Sequence, residues 1–126
     1  MRVVDTSAWI EWFMDSPTGA ELGPHWPARG DTVVPTLVQL EIAKWAMREA
    51  SEEVADRLVA YTETCRVVPL DTRIALRAAE LGRAHGLATA DAIIYATALE
   101  TGADCLTCDR HFRGLDHVVL IEKAAR

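Results

Sequence analysis

The chain has no apolar segment long enough to cross a lipid bilayer, although half of its 126 residues are hydrophobic. A membrane-spanning helix needs about 20 consecutive apolar residues. The N-terminus carries one arginine and then an acid at position 5, which is not the pattern of a secretory signal peptide. We therefore expect no membrane segment, and the cytoplasm is the expected compartment.

Cysteine is scarce, and its spacing does not indicate a disulfide framework. The three cysteines are an odd number, which is typical of a reducing compartment. Cys105 and Cys108 form a C-x-x-C pair, but a structural zinc site needs four ligands. The four histidines are scattered, and no second Cys or His pair stands at the spacing of a zinc finger. The pattern favours ordinary packing of these thiols over metal binding.

Basic residues are outnumbered by acidic ones, 13 to 19, which gives a formal net charge of −6. This balance argues against binding nucleic acid by bulk charge, which needs a basic face. An enzyme acting on nucleic acid is still compatible with it, because such an enzyme could use divalent cations, a local basic patch or a basic partner. The glycine-rich motifs G-x-x-x-x-G-K and G-x-G-x-x-G are also absent, which argues against the enzymes built on nucleotide-binding folds.

The chain does contain short valine-rich runs that alternate with helical segments. Such runs predict strands, here at residues 3–4, 32–35, 66–70, 104–107 and 117–121, with the last at an edge. Helices are predicted at residues 8–13, 16–22, 37–49, 72–85 and 89–101, with another after residue 51. Strands that alternate with helices pair in parallel through right-handed crossovers. The predicted fold class is therefore α/β, a three-layer α/β/α sandwich with a central, mostly parallel sheet, and residues 1–126 are expected to form a single domain.

Several local features of these helices can be predicted as well. Thr36 and Asp71 stand where a strand passes into a helix, so both are predicted N-caps. Trp9 and Phe13 are one turn apart and are expected to share one face of the first helix. Leu76 is expected to face the core from the helix at 72–85.

Four acids stand near the ends of the predicted strands. Asp5 directly follows the first strand, and Asp109 follows the fourth. Glu41 lies in the second turn of the helix entered from the second strand. Asp91 lies in the first turn of the nearly all-apolar helix that leads into the fourth strand. Because ligands in open α/β sheets bind at the carboxyl ends of the strands, we expect these four side chains to share one site.

Carboxylates gathered in one pocket repel one another unless a cation joins them. Two of them about 4 Å apart repel by roughly 4 kcal/mol at an effective dielectric constant of about 20. Oxygen ligands suit Mg²⁺ or Mn²⁺, and such an ion could activate water and neutralise a phosphodiester. The alternative is structural for each residue: Asp5 and Asp91 as helix caps, Glu41 as a solvated helix residue and Asp109 as a turn former.

Four blocks of sequence surround these acids in order, namely VVDTSAWI, TLVQLEIA, LATADAIIYATA and LTCDRHF. With these blocks, essentially the whole chain resembles the PIN-domain family, and specifically the VapC-type ribonuclease toxins of type II toxin–antitoxin pairs. The resemblance implies an endoribonuclease that depends on Mg²⁺ or Mn²⁺. Its catalytic and metal-binding residues would be Asp5, Glu41, Asp91 and Asp109. It also implies a homodimer, and a cognate antitoxin whose C-terminal segment covers the active site.

The resemblance further implies supporting residues beside the acids. The hydroxyl groups that would help to hold the metal, its waters or the phosphate are those of Thr6, Ser7 and Thr107. Arg110 directly follows Asp109, so it has the strongest claim among the arginines to contact RNA phosphates. The other arginines considered for this role are Arg73, Arg77 and Arg113.

Three other functions compete with ribonuclease activity. A phosphatase of the haloacid dehalogenase type has a second Asp two residues after its nucleophile, where this chain has Ser7. A phospho-receiver domain needs a Lys after the last strand, for which the chain offers only Lys123, and it would leave Glu41 without a role. The alternative from another class is a PIN-like module that binds RNA or a protein without cleaving, and the intact acids argue against it.

Overall fold

The computed structural model describes residues 1–123 and has a parallel β-sheet at its centre. The strands are β1 (Arg2–Val4), β2 (Thr32–Pro35), β3 (Arg66–Val68), β4 (Asp104–Thr107) and β5 (Val118–Leu120). Their order across the sheet is β3-β2-β1-β4-β5. Every neighbouring pair runs parallel. The predicted parallel sheet is therefore confirmed, and its last strand lies at an edge as expected.

Pairs of helices join β1 to β2, β2 to β3 and β3 to β4. They are α1 (Thr6–Phe13), α2 (Pro17–Leu22), α3 (Thr36–Glu49), α4 (Glu52–Glu63), α5 (Thr72–His85) and α6 (Thr89–Thr101). Right-handed crossovers place the first four helices on one face of the sheet and the last two on the other. This is the predicted three-layer sandwich. Within residues 1–123, no helix combines the length and the apolar character that crossing a membrane requires.

Strand β1 lies in the middle of the sheet and is buried from both sides. Val3 and Val4 point to opposite faces, because side chains alternate along a strand, yet both are 0% exposed. Burial on both faces is typical of parallel sheets that lie between two helical layers. Each buried valine contributes roughly 1.5–3 kcal/mol to folding. The residue that follows β1 therefore extends from a strand that is central and buried on both faces.

One of the two predicted helix caps is confirmed. The side chain of Asp71 accepts a hydrogen bond from the backbone N–H of Ile74 at 2.9 Å, which caps α5. Thr36 is not a cap, because Pro35 already has the extended backbone of a cap residue and α3 begins at Thr36. The Thr36 hydroxyl instead accepts from the backbone N–H of Leu70 at 3.3 Å, and so links α3 to the segment after β3.

Two predicted inward-facing side chains are exposed. Trp9 is buried, but Phe13 is 40% exposed, because it is the last residue of α1 and packs edge-on against Trp45 of α3. Leu76 is 63% exposed, since it lies off the face that α5 turns towards the core. The buried residues of that face are Ile74, Ala78 and Leu81.

Candidate functional site

Asp5 lies at the carboxyl end of the central strand, where its backbone N–H donates to the carbonyl of Leu106 in β4 at 2.9 Å. The residue is only 4% exposed. It occupies the N-cap position of α1, but its side chain makes no capping hydrogen bond. Its Oδ2 atom instead accepts from the hydroxyls of Ser7 and Thr107, each at 2.7 Å. Capping therefore does not account for this carboxylate.

The environment of Asp5 opposes its ionisation. Burial raises the pKa of this carboxyl, and the nearby charge of Glu41 raises it further. The hydrogen bonds from Ser7 and Thr107 act in the opposite direction, but burial is the larger effect. A buried carboxylate of this kind needs either a proton or a cation to offset the cost of its charge.

Ser7 and Thr107 form a small hydroxyl network between α1 and the end of β4. Their oxygen atoms lie 3.3 Å apart. Ser7 Oγ also accepts from the backbone N–H of Cys108 at 3.1 Å, and Thr107 Oγ1 accepts from that of Asp109 at 3.0 Å. The network therefore fixes the Asp5 carboxylate relative to the segment that carries Asp109.

Glu41 reaches the same edge of the sheet from α3. Its Oε1 atom accepts a hydrogen bond from the hydroxyl of Thr6 at 2.6 Å. Thr6 is the first residue of α1 and directly follows Asp5. The N-terminus of α1 thus holds two of the four acids, one through the backbone and one through a hydroxyl.

Asp91 lies in the first turn of α6 and is half-buried. Burial raises the pKa of Asp91 to about 6, and the charges of Asp109, Asp5 and Glu41 contribute in the same direction. Charges raise a pKa in this way only when they lie close to the group. The structure therefore brings together all four acids that the sequence analysis selected.

Asp109 follows β4 and opens a short 3₁₀ turn formed by Arg110–Phe112. Its Oδ1 atom accepts from the backbone N–H of His111 at 2.9 Å and lies 2.9 Å from His111 Nδ1. One potential ligand atom from each of Asp91, Asp109 and His111 lies within 4.8 Å of the other two. The predicted site did not include His111, and its position two residues after Asp109 is the sequence signal that could have found it.

The donor set fits a hard divalent cation. Carboxylates from four separate segments lie near enough to influence one another here, and those of Asp91 and Asp109 form the close set with His111. Oxygen ligands suit Mg²⁺ and Mn²⁺. Burial, and then the charges of neighbouring acids, raise the pKa values of Asp5 and Asp91, and a bound cation would offset both effects. The C-x-x-C thiols do not fit this role, because burial raises the pKa of Cys108 to about 12 and metals bind the thiolate.

A cleft of about 420 Å³ opens beside this cluster. Its lining residues are Ser7, Cys108, Asp109, Arg110, Glu122 and Lys123. Arg110 and Lys123 bring positive charge to the border of an acidic site, an arrangement that suits a phosphate group approaching the carboxylates.

The other three arginines considered for phosphate contacts form ion pairs with glutamates. Arg73 and Arg77 both pair with Glu100, at 2.8 Å and 3.0 Å. Arg113 pairs with Glu122, which itself lines the cleft. Arg110 is exposed and borders the cleft next to Asp109.

Comparison with solved structures finds the same fold in toxin–antitoxin proteins. A toxin–antitoxin complex from Klebsiella pneumoniae superimposes with a TM-score of 0.84 at 22% identity, over 98% of this chain and 100% of that one. Mycobacterium tuberculosis VapC20, a sarcin-ricin loop cleaving toxin, has a TM-score of 0.74 at 18% identity, over 92% and 95% of the two chains. DNA-bound VapBC from Salmonella typhimurium has a TM-score of 0.69 at 18% identity, over 96% of each chain.

Sequence comparison with curated proteins gave no match. The family model of the PIN domain, however, matches residues 2–118, which include strands β1 to β4, the first residue of β5 and all four acids. The chain therefore belongs to the PIN domain family.

Proposed function

We propose that this chain is a metal-dependent endoribonuclease that acts in the cytoplasm as the toxin of a type II toxin–antitoxin pair. The observation that carries the proposal is the convergence of Asp5, Glu41, Asp91 and Asp109 at the carboxyl edge of a PIN-domain sheet. The similar folds of a toxin–antitoxin complex and of a toxin that cleaves the sarcin-ricin loop support it.

The four acids would hold Mg²⁺ or Mn²⁺. When bound, the cation supplies positive charge that stabilises the transition state of phosphodiester hydrolysis and acidifies the attacking water. The protein contributes fixed ligands: hydroxyls of Ser7 and Thr107 orient Asp5, and the hydroxyl of Thr6 orients Glu41. Groups that are already in place lower the reorganisation needed during the reaction.

The RNA would enter along the cleft beside Ser7 and Asp109. Arg110 and Lys123 would attract and position its phosphates, since phosphate contacts orient a nucleic acid without reading its sequence. Because Arg110 and Lys123 are the basic residues that line this cleft within residues 1–123, electrostatic attraction to RNA should be modest. The bound cation would supply the remaining positive charge at the scissile phosphate.

Two protein partners belong to the proposal. The first is a cognate antitoxin, whose basic segment would be attracted to the acidic cluster and would cover it. The second is another copy of this chain, in a homodimer. Leu70, two residues after the edge strand β3, and Leu76 on α5 support the homodimer. These large apolar side chains are 46% and 63% exposed and would be buried by a partner.

The test is a cleavage assay with purified chain and structured RNA. We expect cleavage with Mg²⁺ or Mn²⁺ and none in excess chelator. Asp5→Asn should abolish cleavage while circular dichroism shows that the fold is kept. Glu53→Gln, which changes an exposed acid on α4, should cleave as the wild type does.

Two outcomes would contradict the proposed reaction. Cleavage that persists in excess chelator would exclude the metal-dependent mechanism. RNA binding without cleavage under every cation condition would favour a non-cleaving PIN-like module instead.

A further inference from the structure

His111 adds an imidazole nitrogen to a cluster that otherwise offers carboxylate and hydroxyl oxygens. Its Nδ1 atom is 2.9 Å from Asp109 Oδ1. It also belongs to the set of ligand atoms, with Asp91 and Asp109, that lie within 4.8 Å of one another. Three such atoms can approach one cation together after small side-chain adjustments. The His111 side chain is 76% exposed, so its ring can turn without disturbing the core.

The backbone around His111 holds this imidazole in position. The His111 N–H donates to the Asp109 carboxylate, and the next N–H, that of Phe112, donates to the Asp109 carbonyl at 3.1 Å. The Phe112 side chain is 0% exposed and anchors the turn in the core. The backbone therefore holds the His111 side chain beside the acids, even though its imidazole ring is exposed.

A simple surface ion pair between His111 and Asp109 is the structural alternative. Exposed ion pairs contribute only about 0–1 kcal/mol, and such a pair would have no consequence for cation binding. The proximity of Asp91 favours a larger role, because a third ligand atom from α6 lies within reach of both partners. A pair that served only the turn would not need this third group.

We propose that His111 is a metal ligand of this site and that its nitrogen makes the site prefer first-row transition ions over Mg²⁺. This inference rests on the proposed function, since it concerns the cation which that function requires. Mg²⁺ is held almost entirely by oxygen atoms and gives up its waters reluctantly. Imidazole nitrogen binds first-row transition ions, Mn²⁺ included, better than it binds Mg²⁺. One such ligand therefore strengthens the binding of those ions and changes the affinity for Mg²⁺ little.

The probe for this inference is Mn²⁺, followed by pulsed electron paramagnetic resonance. We expect spin-echo modulation from a directly bound imidazole nitrogen in the wild-type chain. Labelling the histidines of the wild-type chain with a nitrogen isotope should change that modulation, which tests the histidine origin of the signal without altering the sequence. In His111→Gln the modulation should disappear while Mn²⁺ still binds.

Calorimetry supplies the second readout. The ratio of the Mg²⁺ to the Mn²⁺ dissociation constant should fall by about tenfold in His111→Gln. His25→Gln is the matched control, because His25 lies near the start of β1, at the other end of the strand from Asp5. There its carbonyl accepts from the Arg2 side chain at 2.7 Å. This control should keep both the modulation and the ratio.

The outcomes separate this inference from the proposed function. Mn²⁺ binding without nitrogen modulation, together with an unchanged ratio in His111→Gln, would overturn the role of His111 and leave the acidic metal site intact. A wild-type chain that binds neither Mn²⁺ nor Mg²⁺ would overturn both.

Discussion

The hydroxyl of Thr6 donates to Glu41 Oε1 at 2.6 Å, which joins the first residue of α1 to the second turn of α3. Thr6 also follows Asp5 directly, so one helix start positions two acids that are far apart in the chain. The geometry of the acidic cluster therefore depends on residues that need not touch the cation. Such residues can be tested separately from the acids themselves.

Removing the Thr6 hydroxyl should weaken cation binding without unfolding the protein. Thr6→Val keeps the shape of the side chain but leaves Glu41 without the donor that orients it. We expect the dissociation constant for Mn²⁺ to rise by about tenfold, as measured by calorimetry. Thr6→Ser, which retains a hydroxyl, should bind as the wild type does. Equal affinities of Thr6→Val and the wild type would show that this hydrogen bond has no part in the site.

Asp91 should make the metal-free protein less stable at neutral pH than in mild acid. Its folded-state pKa of about 6 lies above its ordinary value of 3.8, so the folded state holds the proton more tightly. The stabilisation from protonated Asp91 is complete below about pH 4 and is lost as the pH rises through about 6. Because the side chain is half-exposed, solvent screening limits this effect to about 1 kcal/mol.

Asp91→Asn isolates this effect when unfolding is measured in excess chelator. The variant should be more stable than the wild type at pH 7, and the difference should shrink towards pH 4. Asp104 does not interfere in this range, because its bond to Arg2 lowers its pKa and its contribution changes only in stronger acid. Stability curves that stay parallel between pH 4 and pH 7 would contradict the raised pKa.

Local sequence signals were sufficient to predict the sheet and the positions of the acids. Valine-rich runs fix the strands, and Asp5 and Asp109 stand next to strand ends in the sequence itself. The bond between Thr6 and Glu41 could not be predicted, because it depends on how α3 packs against α1. The spacing of His111 from Asp109 is visible in the sequence, but the 3₁₀ turn that brings its imidazole back to the acids is not.

The errors in the predicted core have a similar cause. Phe13 fits the apolar face of α1 by its spacing, but the helix ends there and the ring meets Trp45 at the surface. Leu76 is apolar, yet its place on α5 is opposite the buried face. A hydrophobic residue alone does not show which side of a helix will be covered.

Gly19 should be required for the packing of α2 against α1. A Cβ atom at this position would lie 2.4 Å from the carbonyl oxygen of Glu11, and neither backbone can move easily. We expect Gly19→Ala to lower the free energy of unfolding by about 1–3 kcal/mol, measured by denaturant titration. Gly23→Ala is the matched control, because a Cβ there meets nothing within 4 Å. Equal stability of the two variants would contradict this close approach.

Arg110 should bind RNA without contributing to the cation site. RNA binding is measured in the catalytically inactive Asp5→Asn protein, where Arg110→Ala should weaken it. The steepness with which log affinity falls against log salt concentration should decrease by about 1. Cation affinity should not change. Arg73→Ala, which removes an arginine paired with Glu100, is the control and should bind RNA normally. A larger loss of RNA binding in the control would assign the phosphate contact to α5 instead.

Calorimetric titration of Mn²⁺ into the metal-free protein tests most directly whether the four acids form one cation site. We expect the wild type to bind, and Asp91→Asn and Asp109→Asn each to lose more affinity than the roughly tenfold expected for Thr6→Val. Glu53→Gln should bind as the wild type does. Equal affinities in all four proteins, or no binding by the wild type, would contradict a shared cation site at the carboxyl edge of the sheet.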